Sequence, residues 1–186
     1  NIYMEENLKA EIIKHYQEKF SKKQFIPGES SVPVSGKVFD EQEMILGVEA
    51  VLDGWWTEGR FTSQFEAKIS RWLGVRHAIL VNSGASANLL ALTALTSMKL
   101  GEKRLKPGDE VITVAAGFPS TINPIMQNNL APVFVDVDLG TYNANIEEIK
   151  KAITPKTRAI MLAHTLGNPM DLTAIMELCK ANNFWF

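Results

Sequence analysis

Apolar and polar positions change their period along the chain, and the first part carries the period of amphipathic helices. Residues 5–20 place apolar side chains at helical spacing, with Glu and Lys on the other face. Asp40 precedes a second pattern of this kind and has Glu43 three residues later, as in a capping box. A third helical pattern covers residues 61–74 and ends on a glycine. We predict three helices here, with residues 24–38 as an extended arm between the first two.

The rest of the chain alternates short apolar runs with helical stretches. The runs are predicted strands at residues 78–81, 110–115, 132–137 and 158–163. The helical stretches between them cover residues 86–98, 120–129, 146–153 and 172–182. This alternation predicts an α/β fold, a mainly parallel sheet with helices on both faces. Another apolar run begins at Phe184, so we expect the chain to stop inside a strand and to be a fragment of a longer polypeptide.

The composition is that of an ordinary globular protein. The chain has 186 residues, of which 46% are hydrophobic and 22% charged, and this predicts one main domain. A net charge of −2 provides no basic field that would attract nucleic acid or an anionic membrane. Cys179 is the only cysteine, and the N-terminal sequence lacks the apolar run of a signal peptide. We therefore expect a cytoplasmic protein without nucleic-acid or membrane partners.

The most informative stretch is ILVNSGASANLL, at residues 79–90, where an apolar run passes through small residues into a helical pattern. The backbone N–H groups of Gly84, Ala85 and Ser86 would point at a ligand, and the helix N-terminus would favour an anion such as phosphate. The turn has neither the lysine of a Walker A loop nor the three glycines of a dinucleotide fingerprint. A tight strand-to-helix turn capped by Ser83 explains the same residues without a ligand.

Several motifs in order give this turn a more specific meaning. The stretches NSGASAN, KPGDEVITVAAGFPSTINPIMQN and PVFVDVDLGTYN resemble the sugar aminotransferase (DegT/DnrJ/EryC1/StrS) family of fold-type I pyridoxal phosphate enzymes. Within that family, IPGESSVPVSGKVFDEQEM, WWTEGRFTSQFE and AIMLAHTLGNPMDL are most similar to the CDP-4-keto-6-deoxyglucose 3-dehydrase group. The resemblance covers about residues 25–186.

The resemblance implies a cofactor site that begins at the turn. The family holds the cofactor phosphate with the residues that match Gly84, Ala85 and Ser86, and Ser86 supplies the hydroxyl group here. The residue that matches Phe118 would lie against the pyridine ring, where an aromatic face stacks and excludes water. A plain core position beside Gly117 is the alternative for Phe118.

Two further candidates follow the last predicted strand. His164 stands at the carboxyl edge, where open α/β sheets place their ligands, and would touch the cofactor or the substrate. A satisfied structural histidine is the alternative. Asn168 would donate to the phenolic oxygen of the cofactor, although turn formation before Pro169 explains it equally well.

A loop near the second predicted helix is a candidate substrate site. It combines aromatic rings, a hydroxyl group and a cation, which suit the binding of sugar and diphosphate groups. In the family that this chain resembles, the loop helps to shape the substrate entrance. The candidate substrate-binding residues are Trp56, Thr57, Gly59 and Arg60. The alternative is that the tryptophan pair at 55 and 56 only joins two helices.

The resemblance also implies what the whole enzyme does. The fold would be the large domain of a fold-type I pyridoxal phosphate transferase, truncated, with residues 1–38 as a helix and arm and residues 39–186 as the first part of the domain. Pyridoxamine or pyridoxal 5′-phosphate would serve to remove the 3-hydroxyl group of CDP-4-keto-6-deoxyglucose, in deoxysugar and lipopolysaccharide biosynthesis. The enzyme would be a homodimer that carries a [2Fe–2S] cluster and accepts electrons from a partner reductase.

No catalytic residue of that reaction is expected within this chain. The acid that pairs with the pyridine nitrogen would follow Phe186, as would the position that is Lys in aminotransferases and His in the 3-dehydrases. The cluster ligands would also lie elsewhere, because Cys179 alone cannot hold a cluster. No metal site is expected, since Asp136 and Asp138 precede a turn where solvated Asp is common. We expect no catalysis by these residues alone.

Two other functions stay open at this point. A sugar-nucleotide aminotransferase with the same fold would keep the lysine and replace the keto oxygen with an amine. A non-enzymatic nucleotide-binding module of doubly wound type would use the turn at residues 83–86 for a plain phosphate. The residue at the lysine position distinguishes the aminotransferase from the dehydrase. The absorbance of a bound cofactor distinguishes either enzyme from the non-enzymatic module.

Overall fold

A computed structural model describes residues 4–20, 24–33 and 35–186. The helices among these residues are α1 (Glu6–Phe20), α2 (Glu41–Leu52), α3 (Arg60–Leu73), α4 (Gly84–Ala94), α5 (Pro119–Gln127), α6 (Ile146–Ala152) and α7 (Leu172–Asn182). The strands are β1 (Glu110–Val114), β2 (Ala131–Val135) and β3 (Thr157–Ile160), and short 3-10 helices cover Met98–Lys103 and Thr165–Gly167. The chain forms two compact units, residues 1–80 and 81–186.

The first unit contains the three helices that the sequence predicts. Asp40 and Glu43 form a capping box at the start of α2, in which the amide of Asp40 donates to the carboxylate of Glu43 at 2.7 Å. Gly74 ends α3 in the left-handed conformation, with φ 69°, which glycine adopts without a steric penalty. Ile12 of α1 and Ile45 of α2 are buried in one small apolar cluster. Val34, within the predicted arm, lies outside the described residues.

The second unit is built on a parallel sheet. The strand order is β2-β1-β3, and β1 pairs in parallel with both neighbours. Trp185 adds a parallel bridge to Ala159 of β3, where the expected run from Phe184 begins. Parallel strands need crossover connections, and α5 and α6 supply two of them. None of the helices in the described part of the chain is long and apolar enough to cross a membrane.

Helices cover both faces of this sheet, as predicted. Val111 of β1 belongs to an apolar cluster with Leu92 of α4 and Ile125 of α5. Ile112, the next residue, belongs to a second cluster with residues of α6 and α7 such as Ile175. Successive side chains of a strand point to opposite faces, so β1 contributes to both halves of the core. The central strand β1 is therefore packed on both sides, which explains why four of its five residues, from Val111 to Val114, are buried.

The predicted strand at residues 78–81 is wrong. A strand requires hydrogen bonds to a neighbour, and none of the described residues pairs with this segment. The amide of Leu80 donates instead to the side chain of Glu66 at 2.7 Å, and Ile79 is 73% exposed. An apolar run of four residues indicates that a segment is hydrophobic, but it does not indicate whether a neighbouring strand pairs with it. A strand forms only where such pairing occurs.

The helix predicted at residues 86–98 is shifted. It begins at Gly84, because Ser83 provides the cap, and it ends at Ala94. Ser97 then caps the 3-10 helix at Met98–Lys103, which turns the chain back so that the amide of Leu105 donates to the carbonyl of Leu95 at 2.8 Å. The apolar spacing continued past the true end of the helix because Leu95 also packs against the core.

We predict that the central strand carries much of the stability of the chain. Ile112 is fully buried, so Ile112→Ala removes apolar contacts and leaves a cavity that costs about 2–5 kcal/mol. Ile79→Ala, at a site that is 73% exposed, is the matched control and should cost less than about 0.5 kcal/mol. Urea unfolding followed by circular dichroism measures both values. Equal losses in the two variants would contradict this description of the core.

Candidate functional site

The carboxyl edge of the sheet opens into a cavity of about 810 Å³. Val114, the last residue of β1, lines it, and so do Ala163 and His164, which follow β3. Phe118 lies on the connection between β1 and α5 and also lines the cavity. Open α/β sheets bind their ligands at this edge, because the loops that leave parallel strands converge there.

Phe118 presents an exposed ring to this cavity. Its side chain is 81% exposed, so it is not a core residue in this chain. Pro119 follows it as the first residue of α5, and a residue before proline is restricted to an extended backbone, here φ −74° and ψ 143°. The proline thus fixes the backbone from which the Phe118 ring projects. An exposed aromatic face in a cavity is suited to stacking against a flat ligand.

The N-terminus of α4 offers hydrogen-bond donors. Ser83 caps the helix, since its hydroxyl oxygen accepts from the amide of Ser86 at 3.2 Å and donates to the Ser86 hydroxyl oxygen at 3.2 Å. The cap by Ser83 that the alternative invoked is therefore present, although no strand precedes it, and the amide of Ser86 is engaged by the protein itself. Helix geometry leaves the amides of Gly84 and Ala85 without an intrahelical acceptor, and the helix dipole gives this end a partial positive charge.

A second cavity, of about 240 Å³, lies at this helix end. Ala85 and Ser86 line it together with Ser120, and Ser120 also lines the larger cavity. Asn88 joins the two helices, because its amide nitrogen donates to the carbonyl of Ser120 at 3.2 Å. The structure thus brings Ala85 and Ser86 of the predicted phosphate-binding turn, and Phe118, to two cavities with a common wall at Ser120. Gly84 begins α4 beside them but lines neither cavity.

His164 is held in one orientation. Its Nδ1 accepts a hydrogen bond from the amide of Met170 at 3.2 Å. An acceptor nitrogen carries no proton, so this hydrogen-bond pattern assigns the proton of the neutral ring to Nε2. The Nδ1 atom of His164 therefore has a structural role, as the alternative for this residue proposed. His164 also lines the large cavity.

Asn168 is not among the residues that line either cavity. Its amide nitrogen donates to the carbonyl of Thr141 at 3.2 Å. A carboxamide has two N–H donors, and this bond uses one of them. Contact between Asn168 and the cofactor stays a prediction.

Sequence reasoning missed most of the residues that line the cavities, among them Asn88, Ser120, Tyr142 and Leu166. Ser120 and Asn88 carried a signal, because one follows the Phe-Pro pair and the other lies one helical turn after Gly84. No sequence pattern indicated that Tyr142 and Leu166 line the large cavity. Both adopt positive φ angles, and no sequence rule places a bulky residue in that conformation.

The candidate substrate loop belongs to the first unit. Trp55 closes it by donating from its ring nitrogen to the carbonyl of Glu58 at 2.7 Å, and Gly59 caps α3. Trp56 is 77% exposed, and Thr57 is exposed as well. Trp55 therefore closes its own loop, which is not the joining of two helices that the alternative proposed, and the ring of Trp56 is accessible.

Arg60 is already paired with acidic groups. Its Nε donates to Asp53 at 2.7 Å and its Nη2 to Glu49 at 3.1 Å, and the guanidinium lies 4.2 Å from the centre of the Phe61 ring. The hydrogen bond to Asp53 raises the pKa of the guanidinium above its usual value. A diphosphate would have to replace these carboxylates, so the pairing favours a role for Arg60 in holding the loop.

The remaining candidates have structural roles. Asp136 accepts from the amide of Val137 at 2.8 Å, and Asp138 accepts from the side chain of Asn145 at 2.6 Å. Cys179 is buried in α7, and burial raises the pKa of its thiol. Throughout residues 4–20, 24–33 and 35–186, no three His, Cys, Asp or Glu side chains are grouped so as to hold a metal ion.

Comparison with known proteins gives consistent matches. Residues 39–186 match the DegT/DnrJ/EryC1/StrS aminotransferase family. The chain is 53% identical to the lipopolysaccharide biosynthesis protein RfbH of Salmonella typhimurium, over 98% of this chain and 42% of that protein. It is 52% identical to the dTDP-4-dehydro-2,6-dideoxy-D-glucose 3-dehydratase of Saccharopolyspora spinosa, over 93% of this chain and 37% of that protein.

A solved structure supports the same fold. The E. coli GDP-4-keto-6-deoxy-D-mannose-3-dehydratase with bound hydrated PLP has a TM-score of 0.73 and 33% identity, over 83% of this chain and 39% of that one. The chain therefore spans 37–42% of the length of the proteins it matches here. These matches lend no support to a non-enzymatic nucleotide-binding module.

We predict that the Met170 amide depends on His164 for its acceptor. His164→Ala leaves that part-buried amide unpaired and should lower the free energy of unfolding by about 1–3 kcal/mol. His164→Asn places an oxygen acceptor near the same site, so its free energy of unfolding should fall by less. His77→Ala, at an exposed histidine, is the control, with a change below about 0.5 kcal/mol. Equal destabilisation by the Ala and Asn variants in urea unfolding would show that the hydrogen bond is unimportant.

Proposed function

The chain belongs to the DegT/DnrJ/EryC1/StrS aminotransferase family, and on that premise we propose that it forms the N-terminal part of a nucleotide-sugar 3-dehydrase. The enzyme uses pyridoxamine or pyridoxal 5′-phosphate and removes the 3-hydroxyl group of CDP-4-keto-6-deoxyglucose, in deoxysugar and lipopolysaccharide biosynthesis. The observation that carries this proposal is the cavity at the carboxyl edge of the sheet, which combines an exposed aromatic ring with an adjoining helix N-terminus. Identities of 53% and 52% to the bacterial relatives support the dehydrase assignment.

The residues on the two cavities fit the cofactor. The free amides of Gly84 and Ala85 and the hydroxyl group of Ser86 bind its phosphate, which the partial positive charge of α4 stabilises. Phe118 stacks against the pyridine ring and excludes water from it. His164 presents Nε2 as a hydrogen-bond donor, while its Nδ1 is held by the backbone. The bound cofactor supplies an electron sink for the chemistry at the sugar.

The loop of the first unit contributes to substrate binding in this proposal. Trp56 stacks on the sugar or the base, and Thr57 with the backbone of Gly59 offers polar contacts. Arg60 holds the loop through its two carboxylate partners, and it binds the diphosphate only if those pairs open. Asn168 keeps one amide hydrogen for the phenolic oxygen of the cofactor.

Several finer features belong to the proposal as well. Residues 1–38 are an accessory helix and arm, and residues 39–186 are the first part of the cofactor-binding domain. The lysine-replacing histidine, the acid partner of the pyridine nitrogen and the [2Fe–2S] ligands are supplied outside these residues. The enzyme is a cytoplasmic homodimer that receives electrons from a reductase. The cytidine nucleotide is part of the proposal too, since the named relatives act on dTDP- and GDP-linked sugars.

A sugar-nucleotide aminotransferase is the second candidate, because the matched family is named for that activity.

We predict that the full-length protein, loaded with pyridoxamine 5′-phosphate and given a two-electron reductant, converts CDP-4-keto-6-deoxyglucose to the 3-deoxy product and water. Mass spectrometry of the nucleotide sugar measures this conversion. With pyridoxal 5′-phosphate and glutamate as amino donor, formation of a 4-amino sugar as the only product would refute the dehydrase proposal and favour the aminotransferase.

We also predict that the ring of Phe118 contributes to cofactor affinity. Phe118→Ala removes the stacking surface and should weaken binding of pyridoxal 5′-phosphate by about tenfold, since aromatic pairs contribute about 0.5–1.5 kcal/mol. Titration of the cofactor absorbance in the full-length protein measures the dissociation constant. Phe134→Ala, at a half-exposed position on β2 outside both cavities, is the matched control. An unchanged constant in Phe118→Ala would remove this residue from the cofactor site.

A further inference from the structure

Two bulky residues with an unusual backbone conformation line the large cavity. Tyr142 has φ 58° and Leu166 has φ 54°, both in the left-handed region. The other positive-φ residues besides glycine, among those that the structure describes, are Asn129 and Asn183. Asparagine adopts this region readily, whereas tyrosine and leucine do not. The two residues for which a positive φ is unfavourable, Tyr142 and Leu166, therefore both lie at the proposed ligand site.

The side chains of these two residues gain little from the protein around them. Leu166 is 91% exposed and Tyr142 is 47% exposed. The Tyr142 hydroxyl group has no hydrogen-bond partner among the described residues. Asparagine or glycine would fit either backbone with less strain, so packing within this chain does not explain the choice of tyrosine and leucine.

Two asparagine side chains hold the backbone at these positions. The amide nitrogen of Asn143 donates to the carbonyls of Asn168 and Pro169 at 3.3 and 3.2 Å. Asn168 donates in return to the carbonyl of Thr141 at 3.2 Å. Asn143 is only 9% exposed, so water does not compete strongly for its donors. We call this pair of side chains the Asn143–Asn168 brace.

The brace acts next to both strained residues. Tyr142 lies between Thr141 and Asn143, and Leu166 precedes Asn168 by two residues in the loop that starts at His164. Strained conformations persist where surrounding contacts determine them, and they cluster at functional sites. The brace joins the loop of Tyr142 to the loop of Leu166, and it acts together with local backbone hydrogen bonds from the amides of Tyr142 and Gly167 to keep the two side chains on the cavity.

We infer that Tyr142 and Leu166 contact the sugar of the substrate, and that the Asn143–Asn168 brace positions them for that contact. This inference rests on the proposed function, which assigns the α4 N-terminus and Phe118 to the cofactor. A 6-deoxy sugar carries a methyl group that suits the exposed leucine, and its hydroxyl groups suit the unpaired phenol. Tyr142 and Leu166 thereby help to select the sugar, whereas Asn143 and Asn168 are positioning residues.

The experiment replaces each strained residue by one that fits the backbone. In the full-length protein loaded with pyridoxamine 5′-phosphate, Tyr142→Asn and Leu166→Asn should melt at the same or a higher temperature than the parent. Their dissociation constants for the CDP-linked 4-keto-6-deoxy sugar, measured by calorimetry, should each rise about tenfold, while the affinity for the cofactor stays unchanged. Tyr142→Phe keeps the ring and should show a smaller rise. Asn129→Gly is the control at a left-handed site outside the cavity and should change neither constant.

The outcomes separate this inference from the proposed function. If the parent binds and converts the sugar but both Asn variants bind it equally well, the contact inference is wrong and the proposed function stands. If the variants lose the cofactor together with the sugar, Tyr142 and Leu166 do not act on the sugar. If the parent binds the cofactor but neither binds nor converts the sugar, the proposed function fails, and this inference fails with it.

Discussion

Hydrogen bonding of β1 to two parallel neighbours governs the position of the candidate groups that follow the strands of the second unit. Parallel pairing brings the carboxyl ends of the strands to one edge of the sheet, because their crossovers return over its faces. The residues that follow β1 and β3 therefore meet there, among them Phe118 and His164. The apolar side chains on both faces of β1 pack against helices, so the edge of the sheet is where polar chemistry can be placed.

Around this edge, groups that serve the fold also prepare a binding site. Ser83 uses its side chain to cap α4, which leaves the first two amides of the helix for a ligand. Pro119 starts α5 and fixes the backbone that carries Phe118. His164 accepts a backbone hydrogen bond at Nδ1 and also lines the large cavity. In each case some groups of the residue or its neighbour stabilise the local fold. Other groups at the same place can still contact a ligand.

The sequence predicted elements whose signals are local. The capping box of Asp40, the αL glycine at 74 and the turn at residues 83–86 depend on a few neighbouring residues, and all of them are present. The strand at residues 78–81 failed because pairing is a property of two segments, and periodicity describes only one. The partners of Arg60 lay seven and eleven residues away, beyond the reach of a motif. The contacts of the Asn143–Asn168 brace join loops about 25 residues apart in the chain, and no local sequence pattern predicts such contacts.

Above all, we propose that a vitamin B6 cofactor binds with its phosphate at the start of α4. The most direct measurement is a crystal structure of the full-length protein with pyridoxal 5′-phosphate. We expect phosphate oxygens within hydrogen-bond distance of the amides of Gly84 and Ala85 and the hydroxyl group of Ser86, and the pyridine ring against Phe118. A phosphate bound elsewhere, or a cofactor ring that does not touch Phe118, would contradict it.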